Sequence, residues 1–540
     1  GLQNDGSIRT ISNTGNITTL VNGPNGSGQI GIYNNEGIYN SGGGNISKLD
    51  NWDRINVIQN SSIIGHYQNL AGSSLTFLRN FNGGQISYLN NSGTITTFNN
   101  DQSSGLSYDG TLPINYNIII NSPTDYGSMQ VQNASGTTNF GFDESYSTIS
   151  GGNYADIFNG ITTASINNTS GTIGSRYWTI VNSGNDSLDL NISYAGDQSI
   201  TSNISTTGNY GHGFWMKEND SSTITINADI TTTGSNAYGF LSQSSDNNNI
   251  TFNGDISTTG TSASAFYNAL STGNNTTIVG DITTQGTGAQ GIFQFGSDSN
   301  TTSLTGNISA TQGSGVVISS SDSNTTSILG NITTSGINTA ALLVTDGDSN
   351  VTTITGNINT SGYAGRGIYF SDALSLTNNS NTVTLNGNIA TSGNNSHGIN
   401  LANSNSNILN ITGDISTSGT DGESEGISLK NSDSNTFTIV GKVESTGGDE
   451  AIRVDSTSNA NTFNLNTGSN VIGGLNNAGT YTAITNQGAL DTLTNIESVS
   501  SFNNSGTNTL LNNTGTMNSI TNSGTITTLN NLESGLTYSG

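Results

Sequence analysis

Short runs that begin with Gly or Ala and continue with mostly apolar residues recur through the middle of the chain. They start at Gly213, Gly239, Ala265, Gly291, Gly315, Ala341, Gly367, Gly398, Gly426 and Ala451. Most successive starts are 26 residues apart, and the shortest and longest steps are 24 and 31 residues. A period of this length predicts a solenoid, in which one small unit is copied and each copy contacts mainly its neighbours.

A second series of markers keeps the same spacing. In it a polar residue precedes Ile or Val, at Asp229, Asp255, Asp281, Asn307, Asn331, Asn357, Asn388, Asp414 and Lys442. Both series lengthen between Asn357 and Asn388, so the two markers drift together. We expect these side chains to stack at one corner of the solenoid and to hydrogen bond along its axis.

One repeat contains three strand-like segments. They are residues 324–329, 331–334 and 341–344, and each ends at Gly, Ser or Asp residues that favour turns. In the third segment the apolar residues share one parity, as in Val316 with Ile318 and Leu342 with Val344. This alternation predicts a half-buried strand. The fold class that follows is all-β, a parallel, three-sided β-helix with coils of about 26 residues.

The two ends of the chain carry a shorter repeat of nine residues. Between residues 479 and 531 it is marked by Gly479, Gly488, Gly506, Gly515 and Gly524, and residues 1–100 show the same step in places. Because three such units nearly equal one middle coil in length, we predict one three-sided coil throughout, with one unit on each side. Residues 105–199 break the pattern, which predicts a separate β module or an irregular insert in the solenoid. The predicted segments are 1–104, 105–199, 200–478 and 479–540.

Composition narrows the possible partners. Only 31% of the 540 residues are hydrophobic and none is Cys, yet a thin solenoid core needs few inward residues per strand. The net charge is -26, and the ten Lys and Arg residues form no cluster. Nucleic acid and anionic membranes are therefore poor partners. No apolar run approaches the ~18 residues that span a bilayer, so we expect no membrane insertion of this segment.

The C-terminal sequence repeats an internal one. Residues 92–100 match residues 523–531, and residues 105–110 match residues 535–540. We interpret this either as the start of a second super-repeat in a longer protein or as copies that join end to end. The chain begins Gly1-Leu2-Gln3, which we interpret as a processed or excerpted piece.

These motifs resemble a known class of bacterial proteins. Units of the type Asn-Ser-Gly-Thr-Ile-Thr-Thr-Leu-Asn, then Leu-Thr-Tyr-Ser-Gly at residues 536–540 and the run from Thr111 to Pro123, resemble the passenger regions of large, repetitive autotransporter-type surface proteins. The resemblance implies a right-handed parallel β-helix that is secreted through a Gram-negative outer membrane. It also implies a surface or extracellular location, and the class includes adhesins, toxins and proteases.

Calcium is the first candidate ligand. The triplet Asp-Ser-Asn recurs one coil apart at Asp298, Asp322 and Asp348, and again at Asp433, so these side chains should share a corner. Carboxylates stacked at the ~4.8 Å spacing of strands repel one another unless a cation or water intervenes, and Ca²⁺ takes such oxygen ligands. The same triplet also makes an ordinary turn, so both interpretations stand.

Catalytic candidates are few. His66, His212 and His397 lie beside turn residues, which predicts exposed corner histidines. Asp421, Glu423 and Glu425 alternate, and a glycosidase needs two converging carboxylates. No Trp or Tyr accompanies them, so a solvated corner is the competing interpretation.

The predicted function is that of a non-enzymatic, extracellular structural protein, a rod-like surface or matrix component that assembles head to tail with itself. One alternative is an adhesin that binds host or surface glycans through exposed aromatic residues such as Tyr369. A second alternative is a spike that cleaves polysaccharides, in which Glu423 would be required.

Overall fold

The computed structural model describes residues 1–23, 28–31, 36–372, 379–420, 422–532 and 536–540. Strands dominate these residues, which contain no α-helix and one short 3₁₀ turn, Thr163–Ser165. Two compact units are present: one comprises Gly1–Ala195 with Thr207–Trp215, and the other comprises Gly196–Thr206 with Met216–Gly540. We call them the N-terminal and the C-terminal unit. The four segments predicted from the sequence stay an interpretation.

Most of the C-terminal unit is a regular stack of coils with three strands in each coil. Each strand pairs in parallel with its copy in the next coil, as Ile230 pairs with Ile256 and Ile332 with Ile358. The predicted parallel β-solenoid is therefore confirmed, while its handedness stays a prediction. The short strands suit this arrangement because each finds its hydrogen-bond partners one coil away and not within its own coil.

The strands form three columns along the stack. The first column contains Gln198–Ile200, Thr223–Ile226, Asn249–Asn253, Asn275–Val279, Thr301–Thr305, Thr325–Leu329, Val351–Thr355, Thr382–Asn386, Ile408–Thr412, Thr436–Val440 and Asn461–Leu465. The second contains Ile204–Thr206, Ile230–Thr232, Ile256–Thr258, Ile282–Thr284, Ile308–Ala310, Ile332–Thr334, Ile358–Thr360, Ile389–Thr391, Ile415–Thr417, Lys442–Ser445 and Asn470–Ile472. The third contains Phe240–Gln243, Phe266–Ala269, Ile292–Phe295, Val316–Ser319, Ala340–Thr345, Arg366–Ser371, Ile399–Ala402, Ile427–Lys430, Ile452–Val454 and Leu475–Asn477. Phe214–Lys217 spans the boundary between the two units.

The predicted inward parity of the third column is correct. Val316, Ile318, Leu342 and Val344 are all buried. The predicted corner ladder is also present: the backbone N–H of each marker residue donates to the side-chain oxygen of the marker one coil earlier, as Asp255 does to Asp229 at 2.9 Å. Apolar burial and side-chain hydrogen bonds along the axis thus hold successive coils in register.

The nine-residue repeats form a different coil from the one predicted. Thr480 pairs with Ser498, so one turn takes two of these units and not three. The strands are Thr480–Asn486, Ala489–Asn495, Ser498–Asn504, Thr507–Asn513, Thr516–Asn522, Thr525–Asn531 and Thr537–Ser539. The prediction of three sides throughout is therefore wrong for this segment.

A physical reason for the two-sided coil lies at the end of each strand. Asn486 is buried there and donates from Nδ2 to Oδ1 of Asn504 at 2.7 Å and to the carbonyl of Thr507 at 3.0 Å. The amide therefore provides a hydrogen-bond donor for a backbone carbonyl at the point where the chain reverses. A seven-residue strand closed by such a turn returns after two sides, whereas the regular coils, with strands of three to six residues, have a third side.

The N-terminal unit stacks two columns in the same way. One contains Leu2–Asn4, Asn16–Ile17, Leu20–Asn22, Asn45–Asn51, Ile63–Asn69, Gln85–Asn91, Leu106–Thr111, Met129–Ser135 and Gly152–Asn159. The other contains Ser7–Ile8, Ile11–Asn13, Gln29–Ile30, Gly37–Asn40, Arg54–Asn60, Ser74–Asn80, Thr94–Asn100, Asn115–Ile118 and Asn139–Phe142. Ile63 pairs with Gln85 and Ser74 with Thr94, so these coils are slightly longer than two nine-residue units. The prediction of three sides throughout is wrong here as well.

The segment that interrupts the sequence pattern has two parts. Parallel stacking continues through Asn139–Phe142, which pairs with Asn115–Ile118. Gly152–Asn159 still pairs in parallel with Met129–Ser135, but on its other side the pairing becomes antiparallel. Gly152–Asn159 and Arg176–Gly184 flank Ser187–Ile192, and Ser170–Ile173 pairs with Arg176–Gly184. A further small antiparallel pair joins Ile120–Ser122 to Asp125–Tyr126. The first part thus belongs to the solenoid, and the second part extends one of its sheets with antiparallel strands.

Candidate functional site

The outward faces of the three columns differ in chemistry. The middle outward residues of the first-column strands are Thr, Ser or Asn, namely Thr225, Thr251, Thr277, Ser303, Ser327, Thr353, Thr384, Asn410 and Thr438. Outward positions at the strand ends include the exposed apolar residues Val279, Leu329, Val351 and Ile408. Those of the third column begin apolar and become polar or charged, in the order Leu241, Tyr267, Phe293, Val317, Leu343, Tyr369, Asn400, Ser428, Arg453 and Asn476. The middle positions of the third face therefore differ from those of the first in carrying aromatic and charged residues.

Charged residues concentrate on this face over four consecutive coils. The residue before each Gly or Ala marker is Arg366, His397, Glu425 and Glu450 in these coils. The four preceding coils place uncharged residues at the same position, namely Ser264, Gln290, Ser314 and Ala340. Since those coils stack equally well, the charges are not required by the fold.

Glu425 is the centre of this cluster and is 1% exposed. Its Oε1 accepts a hydrogen bond from Arg453 at 3.0 Å. Its Oε2 lies 2.8 Å from Nδ1 of His397, close enough for an ion pair, although the two atoms do not meet the angular requirement of a hydrogen bond. Burial alone would raise the pKa of Glu425, but His397 and Arg453 outweigh it and lower that pKa below its ordinary value.

The lowered pKa of Glu425 makes the ion-pair network pH-dependent. A carboxylate whose pKa is lower in the folded state stabilises the fold above its unfolded-state pKa, and this contribution is lost as the pH falls through the folded pKa. We expect Glu425→Gln to lower the free energy of unfolding by about 3 kcal/mol at pH 7, and by much less at pH 3. Urea unfolding followed by far-UV circular dichroism at both pH values measures the difference.

Glu444→Gln is the matched control. Glu444 pairs with Lys442 at 2.5 Å, but its side chain is 17% exposed, whereas that of Glu425 is 2% exposed. A pair within reach of water contributes up to about 1 kcal/mol, so its loss should change stability little at either pH. An effect of Glu425→Gln that stayed constant between pH 7 and pH 3 would contradict the ion-pair account.

A cleft opens beside Glu425. Its lining includes Arg366, Tyr369, His397, Glu423, Lys430 and Asp455. The guanidinium carbon of Arg366 lies 4.4 Å from the centre of the Tyr369 ring, so one face of that ring is covered by a cation. Tyr369 therefore does not present both ring faces for a sugar to stack on, and the adhesin alternative needs other contacts.

Two of the three acidic residues considered for catalysis line the cleft. Glu423 is exposed at the cleft and Glu425 is buried beside it. Asp421 lies outside the described residues. A general acid in a glycosidase needs a raised pKa, whereas that of Glu425 is lowered. The geometry thus gives Glu425 the role of an ion-pair partner and not of a proton donor.

The aspartates predicted to bind calcium form a column of hydrogen bonds. The backbone N–H of Asp322 donates to Oδ1 of Asp298 at 2.8 Å, and that of Asp348 donates to Oδ1 of Asp322 at 2.8 Å. Asn379 closes the series on Asp348 at 2.7 Å. These N–H groups offset part of the repulsion between carboxylates. Within the described residues no group of three or more His, Cys, Asp or Glu side chains is arranged to hold a metal ion. Calcium binding at this corner stays a prediction.

The histidines differ from their predicted placement. His212 and His397 are each 8% exposed, so the prediction of exposed corner residues is wrong for both. Burial lowers the pKa of His212 to about 3, which keeps the ring neutral at neutral pH. The missed signal for His397 was its position directly before the marker Gly398, where four earlier coils carry uncharged residues and the next coil carries Glu425.

Comparison with protein-family models, with curated proteins and with solved structures finds no match to this chain. A search of the described residues for a helix able to cross a bilayer also finds none.

Proposed function

We propose that this chain is a structural, non-enzymatic solenoid of the bacterial cell exterior, and that copies of the polypeptide associate head to tail. One observation carries the association: the coil formed by Thr525–Asn531 and Thr537–Ser539 leaves its inward residues exposed. Leu529 is 39% and Tyr538 50% exposed, whereas Leu511 and Ile520 in the coil before them are fully buried.

The chain contains a covered version of the same coil. Phe98 and Tyr108 occupy the positions that match Leu529 and Tyr538, and both are fully buried. They are covered because Asn115–Ile118 and Met129–Ser135 pair in parallel with Thr94–Asn100 and Leu106–Thr111. A coil of this type is thus a template for a further coil, and exposed strand edges favour such pairing. The further coil is supplied either by the continuation of a longer polypeptide or by a second copy, and the association proposed here is the second case. The extracellular location follows from the resemblance to autotransporter passengers alone.

The association has a direct test in the polypeptide of residues 1–540. Analytical ultracentrifugation should show species larger than one chain, and negative-stain electron microscopy should show filaments. Leu529→Lys places a charge on the exposed apolar coil and should shift the protein to monomers, because burying an unpaired charge is costly.

Thr527→Lys is the matched control, since Thr527 is exposed on the outward side of the same strand. It should associate like the unmodified polypeptide. A polypeptide that stays monomeric at high concentration, or a Leu529→Lys variant that assembles normally, would exclude association through this coil.

A further inference from the structure

The cleft beside Glu425 gathers an unusual share of the positive charge. Arg366, Lys430 and Arg453 line it, and they are three of only ten Lys and Arg residues in a chain of net charge -26. His397 adds a ring that is nine-tenths buried. Glu423, Glu425 and Asp455 line the same cleft, so its lining is mixed in charge, and attraction for an anion depends on the cations that no carboxylate pairs.

Two of these cations have no ionic partner among the described residues. Arg453 is paired with Glu425, but neither Arg366 nor Lys430 lies within 4.0 Å of a described carboxylate oxygen. The Nε atom of Arg366 is buried and makes no hydrogen bond to the described residues. Its Nη1 atom donates to the carbonyl of Ala364 at 2.9 Å, so the guanidinium has a polar contact but no anion to balance its charge, and an anionic ligand would supply that partner.

Folding does not explain these charges. Ala340 pairs with Arg366 in the strand register and holds the same position one coil earlier. Ser319 and Lys430 likewise belong to one outward column of the third strands. Small uncharged residues therefore satisfy both positions in coils that stack in the same way.

The rest of the lining limits the ligand. Asn400 and Ser428 offer hydrogen bonds on the strand surface, and Glu423 and Asp455 are acceptors for hydroxyl groups. The two carboxylates would repel a ligand with several negative groups. A carboxylate suits a guanidinium because its two oxygens match the fork of N–H donors.

The geometry points to a binding site for a saccharide unit that carries one carboxylate, a uronic acid, with the carboxylate on Arg366 and Lys430 and the hydroxyls on the polar lining. This role is independent of head-to-tail association, because the cleft lies on the side of the stack and the associating coil is at residues 525–539.

Isothermal titration calorimetry with glucuronic acid tests the site, with glucose and acetate as the two partial ligands. For one sugar unit we expect a Kd on the order of 1 mM. Glucose lacks the carboxylate and acetate lacks the hydroxyls, so each should bind at least about 10-fold more weakly, the cost of a lost charge-assisted hydrogen bond or of several neutral ones.

Variants distinguish this cleft from other surfaces. Lys430→Gln changes an exposed side chain, so it should fold normally and weaken glucuronic acid binding about 10-fold. Arg366→Gln should weaken it at least as much. Lys442→Gln removes a cation outside the cleft and should leave binding unchanged.

Three results would overturn the proposal: no heat of binding from glucuronic acid, equal binding of glucose or acetate, or binding that survives both Arg366→Gln and Lys430→Gln. None of these results bears on the ultracentrifugation test of association, so failure of either proposal is recognisable by itself.

Discussion

Replacing Gly330 with Ala is expected to lower the free energy of unfolding by about 3 kcal/mol. Gly330 ends a strand of the first column with φ +155°, and a Cβ placed there would lie 2.0 Å from the carbonyl oxygen of Gly306. The obstacle is backbone one coil away, so no side chain can move aside. The coils would have to separate locally, which breaks their shared hydrogen bonds.

The same contact recurs at seven glycines in consecutive coils of the stack. A Cβ would meet the carbonyl oxygen of the preceding glycine at between 1.8 and 2.2 Å at Gly280, Gly306, Gly330, Gly356, Gly387, Gly413 and Gly441. This glycine column therefore sets how closely successive coils approach. Far-UV circular dichroism during urea unfolding measures the global loss, and hydrogen exchange should show the loosening centred on the coils next to Gly330.

Gly152→Ala separates the contact from the backbone conformation. Gly152 has a similar φ, +144°, but a Cβ there would lie 3.7 Å from its nearest neighbour, Tyr194. Only the conformational cost of about 1–2 kcal/mol should remain. Equal losses at Gly330 and Gly152 would show that the backbone angle, and not close stacking, makes glycine necessary.

Replacing Asn324 with Leu should destabilise the stack by about 3 kcal/mol, because it removes the acceptor of two buried donors. Asn324 is fully buried, and its Oδ1 accepts from the backbone N–H of Asn300 at 2.9 Å and from Nδ2 of Asn300 at 3.2 Å. It donates in turn to Oδ1 of Asn350 at 3.1 Å. This ladder crosses the coils inside the protein, where water cannot replace a lost partner.

Asn268→Leu provides the comparison within the same fold. Asn268 is also fully buried, but neither atom of its side-chain amide makes a hydrogen bond to the described residues. Replacing such an amide with an apolar side chain of similar size should change stability by less than about 1 kcal/mol, or increase it. Urea midpoints for the two variants test the ladder directly. A similar loss for both would mean that burial of any Asn, and not the ladder, governs the effect.

The sequence predicted the regular coils because the copies of the repeat can be compared with one another within one chain. The alternation at Val316 and Ile318, copied at Leu342 and Val344, states which side chains point inward without any knowledge of distant contacts. The corner residues were readable for the same reason: polar side chains at a fixed interval in a stack must lie above one another.

The candidate site was only partly predictable. Glu425 and His397 were noticed separately, as members of an acidic run and of a set of corner histidines. Their contact depends on the strand register between consecutive coils, and their burial depends on the side chains that surround them. Neither property is a local feature of the sequence, so the ion pair with Arg453 could not be foreseen.

The sequence by itself determined the parallel stacking, the period of the middle coils and the inward parity of their strands, because all three are periodic and need only neighbouring residues. The tertiary structure decided how many sides close a coil and which charges meet. Nine-residue units fit a turn of two units or of three equally well by counting. The seven-residue strands and buried amides such as Asn486 favour two sides, because the hydrogen bonds of these amides connect the two strands across the reversal of the chain. The way a coil closes and the charges that pair both depend on distances between residues far apart in the sequence. The order of residues along the chain does not specify these distances.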